Sequence, residues 1–294
     1  MRLSELVRLR RPTSASLDPE DILGSALAVF DDVQNQHGEG PQTVVLYDNA
    51  RHGTLALHTA DVQGEDQRRN FAHYLWNAGL LMAELVGGRP GQEGEAGRWL
   101  AADEECQWHV AGETVLELGA GVGLGGIVSA LAGAQHVAVT DYPASPILDT
   151  IRANVAHNVP SPLQSRITVH GHGWGAVEGP FETVHAHRYT RILAADCLWM
   201  PGEHDNLAAS MAHFLAPEPC ARVLCIAGFH TGRAKVASFF EQTIAQHGLE
   251  VDDIFELDVN GVRRPWAAER DGGREDIVER KKWLVLARLR RAAP

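Results

Sequence analysis

The chain has 294 residues, with 26 Lys plus Arg against 38 Asp plus Glu and a formal net charge of −12. An acidic balance argues against a nucleic-acid partner, whose backbone calls for clustered cations. With 45% apolar and 22% charged residues the chain can build a globular core. No apolar run is long enough to cross a bilayer, so a membrane partner is not expected.

Met1 to Pro12 carries Arg2, Arg8, Arg10 and Arg11 but lacks the continuous apolar segment of a secretory signal. Glu5, Asp18, Glu20 and Asp21 favour a cytoplasmic location over a mitochondrial one, with the nucleus left open. Asp21 to Val33 has helical spacing (Ile22, Leu23, Ala26, Leu27, Phe30) and is broken by Gly38 to Pro41. Thr43 to Tyr47 and Thr54 to His58 read as two short strands around an Asp48-Asn49 turn. Phe71 to Val86 reads as a helix that stops at Gly87-Gly88. Residues 1–112 are therefore expected to form an N-terminal helix and hairpin extension that caps the rest of the chain.

From Glu113 strands and helices alternate. Strands are expected at Val115–Leu118, His136–Thr140, Arg166–His170, Arg191–Ala195, Ala221–Ala227, Glu250–Leu257 and Trp283–Leu289. Helical segments lie between them, notably Pro146–Val155, Glu203–Leu215 and Arg233–His247. This pattern predicts an α/β, Rossmann-like, seven-stranded and mostly parallel sheet over residues 113–294, with helices on both faces.

Cys106, Cys197, Cys220 and Cys225 are too few and scattered for a disulfide scaffold or zinc module, and read as reduced core or near-site thiols. His170-x-His172 and His185-x-His187 lack ligands at zinc spacing, so no metal is expected. His204 reads as a surface imidazole, whereas His230 could shuttle a proton at the rim after the fifth strand. The terminal cluster Arg280, Lys281, Lys282, Arg288, Arg290 and Arg291 reads as the solvated edge of a last strand.

The densest information lies in Val115-Leu-Glu117-Leu-Gly119-Ala-Gly121-Val-Gly123-Leu-Gly125-Gly126. Alternate glycines where a strand turns into a helix let a ligand lie against bare backbone. Gly121-x-Gly123-x-x-Gly126, with Asp141 about 20 residues on, formally fits a dinucleotide fingerprint. Glu117 speaks against it, because an acid beside the loop suits a cationic ligand better than a pyrophosphate.

With Glu117 the loop resembles the acid-x-Gly-x-Gly-x-Gly motif of class I S-adenosylmethionine-dependent methyltransferases. Further residues resemble methyltransferase family 16, which contains lysine methyltransferases of elongation factors and chaperones: Leu75 to Gly79, Asp141-Tyr142-Pro143, Asn154, Asn158, Gly173-Trp174-Gly175 and Asp196-Cys197-Leu198-Trp199. Gly228 to Arg233 and Glu279 to Trp283 resemble fungal members labelled nicotinamide N-methyltransferase-like.

The resemblance implies S-adenosyl-L-methionine as cofactor. It places Gly119, Gly121 and Gly123 under the methionine part, Glu117 beneath them, and Asp141 on the ribose. Trp76, Tyr142 and Trp174 would line the cofactor pocket, with Trp174 on the adenine. Asp196 at the end of the fourth strand, with Trp199 three positions on, would face the acceptor amine and border the cofactor. Trp199 replaces the family's commoner Tyr or Phe, keeping a cation–π wall but losing a phenol. The expected activity is N-methylation of a basic protein partner, on a lysine or amino terminus. A small-molecule amine or hydroxyl acceptor and a catalytically silent binding scaffold are the alternatives.

Overall fold

A computed structural model describes residues 3–10, 36–37, 43–60, 74–88 and 99–293. The helix expected at Asp21–Val33 lies outside them. Strands β1 (Val7–Arg10), β3 (Val44–Asn49) and β4 (Gly53–His58) form an antiparallel sheet in the order β1-β3-β4. A two-residue pairing joins β2 (Gln36–His37) to β5 (Leu75–Trp76), and α1 (Asn77–Gly87) comes directly after β5.

The main sheet contains β6 (Thr114–Leu118), β7 (His136–Asp141), β8 (Ile167–Gly171), β9 (Arg191–Ala195), β10 (Arg222–Gly228), β11 (Leu249–Asp258), β12 (Arg263–Pro265) and β13 (Trp283–Arg291). Its order is β12-β11-β13-β10-β9-β6-β7-β8. The strands from β10 to β8 run parallel, and β11, β12 and β13 pair antiparallel. Helices α2 (Leu124–Leu131), α3 (Ser145–Asn158), α4 (Pro180–His185), α5 (His204–Phe214), α6 (Arg233–Ser238) and α7 (Ile277–Lys281) connect them.

The seven expected strands are present, and β12 makes an eighth. Arg263-Arg264-Pro265 has no apolar alternation; salt bridges from Arg264 to Glu256 of β11 (2.6 Å) and to Glu275 (3.2 Å) help hold it at the edge. The last strand is not an edge. β13 lies between β11 and β10, and its cations pair with acids of β11: Arg290 with Glu250 at 2.8 Å and Arg288 with Asp253 at 3.5 Å. Arg291 instead donates to the carbonyls of Ala212 and Leu215 at the end of α5 (2.6 and 2.5 Å). All four cysteines are free thiols, but Cys106 and Cys220 are surface groups, and only Cys197 and Cys225 are buried.

One hydrophobic core joins the hairpin to the sheet, through Leu3, Val45, Tyr47 and Leu57 on one side and Val115, Ile127, Val137 and Ile151 on the other. Asn154 and Asn158 of α3 strengthen this junction. The side chain of Asn158 accepts from Ala56 N–H and donates to Ala56 C=O, both at 2.9 Å. Asn154 does the same to His58, again at 2.9 Å, and also donates to Val122 C=O at 3.0 Å. Two amide side chains thus continue the ladder beyond β4.

Candidate active site

A cavity of about 560 Å³ opens at the carboxyl ends of the parallel strands, where open α/β sheets hold ligands. Its floor is the β6–α2 turn. Gly119, Gly121 and Gly123 have φ of +62°, +57° and +79°, backbone that any side chain would strain. A Cβ on Gly119 would also lie 3.0 Å from both Cys197 Sγ and Trp174 Cζ2, so the indole rests against bare glycine.

Glu117 turns away from the floor toward the start of α2. Its Oε1 accepts from Gly125 N–H (3.1 Å) and its Oε2 from Gly126 N–H (2.8 Å), pairing the carboxylate with the positive end of the helix. A Cβ on Gly125 would sit 2.5 Å from Oε1, and one on Gly126 would collide with Val139. Burial nevertheless pushes the Glu117 carboxyl up to about 8 against the pull of those amides.

Asp141 ends β7. Its Oδ2 accepts from Gly121 N–H at 2.7 Å and its Oδ1 from Tyr142 N–H at 2.6 Å, which ties the turn to the strand end. Each oxygen keeps a second lone pair. Burial raises its pKa despite both amides. Tyr142 stands at the rim, 57% exposed.

Asp196 comes after β9 with φ +57°, an uncommon conformation for a residue with a side chain. It is held from several directions: its N–H donates to Ile226 C=O (2.7 Å), and its Oδ1 accepts from Gly228 N–H (3.0 Å). His230 Nε2 meets Oδ1 at 3.1 Å and Oδ2 at 2.9 Å. Burial lowers the His230 pKa, but the charge and hydrogen bond of Asp196 outweigh it and the net shift is upward. The contact needs glycine at position 228, where a Cβ would fall 2.6 Å from Nε2. Trp199, Met200 and Glu203 continue the same wall.

Trp76, Glu117, Gly119, Gly121, Asp141, Tyr142, Trp174, Asp196 and Trp199, separate in sequence, therefore line one cavity. Gly123 and His230 do not reach its wall. Gly123 leads the chain into α2 beneath Ile151, which a Cβ would approach to 3.1 Å. His230 backs Asp196 from a neighbouring crevice beside Asn77 and Lys281, with its ring 5.0 Å from that of Trp76. His204 is not a surface imidazole: it is buried, bonded to Leu198 C=O at 3.1 Å and edge-on to Phe239. Tyr74, His172 and Glu203 are lining residues that sequence reasoning missed as site groups. No group of metal-binding side chains occurs among the described residues.

Among the described residues, four acids line the cavity (Glu117, Asp141, Asp196 and Glu203) and no Lys or Arg does. A dinucleotide's pyrophosphate would meet acidic side chains with no Lys or Arg among the described lining residues to balance it, so the residues do not fit that ligand. The glycine run has packing reasons of its own, Gly126 allowing α2 to approach Val139.

Comparison with known proteins gives the same direction. A family model described as lysine methyltransferase matches residues 59–246, from the end of the hairpin to the helix before β11. The chain belongs to this family. S-adenosylmethionine is accordingly its cofactor, and an acidic cavity with an open glycine floor fits that cationic ligand.

The protein N-terminal and lysine N-methyltransferase efm7 of Emericella nidulans is 28% identical over 185 residues, covering 60% of this chain and 65% of that protein. Its Schizosaccharomyces pombe namesake is 30% identical over 191 residues, covering 63% and 68%. The chain thus spans about two thirds of the length of the curated relatives it matches. The solved structure of SMU.776 with SAH superposes with TM-score 0.51 at 9% identity, covering 92% of this chain and 65% of that one, a likeness of fold.

Proposed function

We propose that this lysine methyltransferase family member transfers a methyl group to a lysine or amino-terminal amine of a protein. The observation that carries the reading is the cavity lined by four acids and no Lys or Arg among the described residues, which suits a cationic cofactor beside a cationic acceptor. The fungal relatives named for amino-terminal and lysine methylation support a protein acceptor.

When bound, S-adenosylmethionine supplies an electrophilic methyl group on a sulfonium. Gly119 and Gly121 would leave backbone open to its methionine part, the remaining lone pairs of Asp141 would hold the ribose hydroxyls, and Tyr142 and Trp174 would border the adenine. At the other end Asp196 and Trp199 take the acceptor between a carboxylate and an indole face. The acceptor nitrogen must shed a proton to attack, and Asp196 accepts it directly or through water. His230, with a raised pKa and a hydrogen bond to both Asp196 oxygens, holds that carboxylate aimed into the cavity. Positioning of the amine in line with the methyl then provides most of the rate. Tyr74 and Trp76 extend the cavity wall, with the Trp76 ring 5.0 Å from that of His230 behind Asp196.

The test has two stages. Titration calorimetry with S-adenosylhomocysteine should show binding; absence of binding overturns the reading. Tritiated-methyl labelling of a cell lysate should then mark a protein band on a denaturing gel. Label confined to small molecules would replace the protein acceptor by a metabolite. No label despite cofactor binding would leave a scaffold.

A further inference from the structure

His172 lies just after β8, 2% exposed, with each ring nitrogen engaged. Nδ1 is 2.7 Å from Glu182 Oε1 on α4, and Nε2 is 3.0 Å from Ser210 Oγ on α5. Ser210 Oγ in turn accepts from Gly175 N–H at 2.8 Å. The ring is packed between Phe181 and Phe214, with centroids 6.4 and 5.0 Å away. Burial lowers the His172 pKa, opposed by Glu182, while contacts with His172 and His213 bring Glu182 below its usual range although burial opposes them.

A neutral ring facing an ionised Glu182 fixes one set of directions. Nδ1–H donates to Glu182, Nε2 accepts from the Ser210 hydroxyl, and the Ser210 oxygen accepts from Gly175. Each of these polar atoms has a partner of the right polarity.

These residue types form a hydrolytic triad when the hydroxyl opens onto a substrate. Ser210 is 0% exposed and its oxygen is occupied by a peptide N–H, so the chain of bonds ends on backbone. That backbone is the Gly173-Trp174-Gly175 loop in the cavity wall. One end of the loop is fixed by His172 N–H donating to Asp141 C=O at 2.8 Å. The other is fixed by Ser210 and by Gly175, whose φ of +83° and closeness to Asn206 (2.6 Å from a Cβ) exclude a side chain.

We propose that Glu182, His172 and Ser210 form a positioning relay that fixes Trp174 over the cofactor half of the cavity and thereby sets affinity for the adenosyl group. The relay rests on the proposed methyltransferase function and adds residues to it: Glu182 and Ser210 act from behind the wall, through the loop.

The experiment is a double-mutant cycle read by calorimetry with S-adenosylhomocysteine on the full chain. Wild type is titrated first, since failure there removes the functional reading and not the relay specifically. Ser210→Ala should raise Kd about tenfold, the effect of one lost hydrogen bond to a buried group. In a Trp174→Ala background the same change should have little further effect, because the relay acts through that ring. His172→Phe, which keeps a ring between Phe181 and Phe214, provides a second arm with the same expected dependence on Trp174. Unchanged affinity in Ser210→Ala, or an equal loss with and without Trp174, overturns the relay.

Discussion

Asp196 and His230 meet through a single imidazole nitrogen, which lies 2.9 and 3.1 Å from the two carboxylate oxygens. The carboxylate lines the cavity and the imidazole does not, so only Asp196 can touch an acceptor. The raised pKa of His230 makes the contact pH-dependent. A histidine raised on folding contributes stability that is complete below its unfolded value and lost as pH rises through the folded one. Thermal melts of wild type and His230→Gln should therefore converge on going from about pH 6 to about pH 9. A constant or widening gap would show that the pair is held by something other than charge.

Asp141 and Asp196 should separate cofactor binding from turnover. Asp141→Ala removes the acceptor for Gly121 N–H and Tyr142 N–H and should weaken S-adenosylhomocysteine about thirtyfold, for about 2 kcal/mol. Asp196→Ala should bind the same ligand with little change and lose turnover. Calorimetry and methyl-transfer rates read the two effects, and the reverse pattern would interchange the roles.

Cofactor binding should release protons. In the free protein burial holds the Glu117 carboxyl up at about 8 and raises that of Asp141, so Glu117 is largely protonated at neutral pH. A sulfonium and ammonium close by favour the charged forms and lower both pKa values. Calorimetry of S-adenosylmethionine at about pH 7.5 in buffers of different ionisation enthalpy should show net release, with affinity rising with pH. S-adenosylhomocysteine, which lacks the sulfonium, should release fewer protons.

Gly126→Ala should destabilise the protein by crowding Val139 of β7 and the Glu117 carboxyl behind the glycine turn. Its Cβ collides with Val139 and comes 3.0 Å from Glu117 Oε2, and overpacking of this kind costs about 1–3 kcal/mol. In a chain of this length that corresponds to a melting point lower by about 2–10 °C. An unchanged melt would mean that α2 can move away from β7 at no cost.

The central alternation was readable because its strands are short apolar runs set off by glycine or polar breaks, as in Val115–Leu118 before Gly119. The cavity was readable where one local stretch carries its own chemistry, as in Glu117 to Gly123 or Asp196 to Trp199. The relay was not: His172 lies 10 residues from Glu182 and 38 from Ser210, and only the folded chain brings the end of β8 together with α4 and α5. The position of β13 inside the sheet was equally hidden. Cations on a last strand suggest an edge until the acids of β11, such as Glu250 and Asp253, are seen to face them.

The amide clamp on β4 changes how the hairpin should come apart. Ala56 and His58 lie on the outer side of a border strand, where backbone N–H groups ordinarily trade deuterium for hydrogen quickly. Their partners are Asn158 and Asn154, side chains anchored on a four-turn helix of the neighbouring layer. Exchange at those two amides thus requires α3 to unwind or withdraw, so a local fraying event becomes a joint opening of two layers. The same closure denies a free rim to any passing extended chain, giving the hairpin protection against edge-to-edge association without a charge or a proline on the strand.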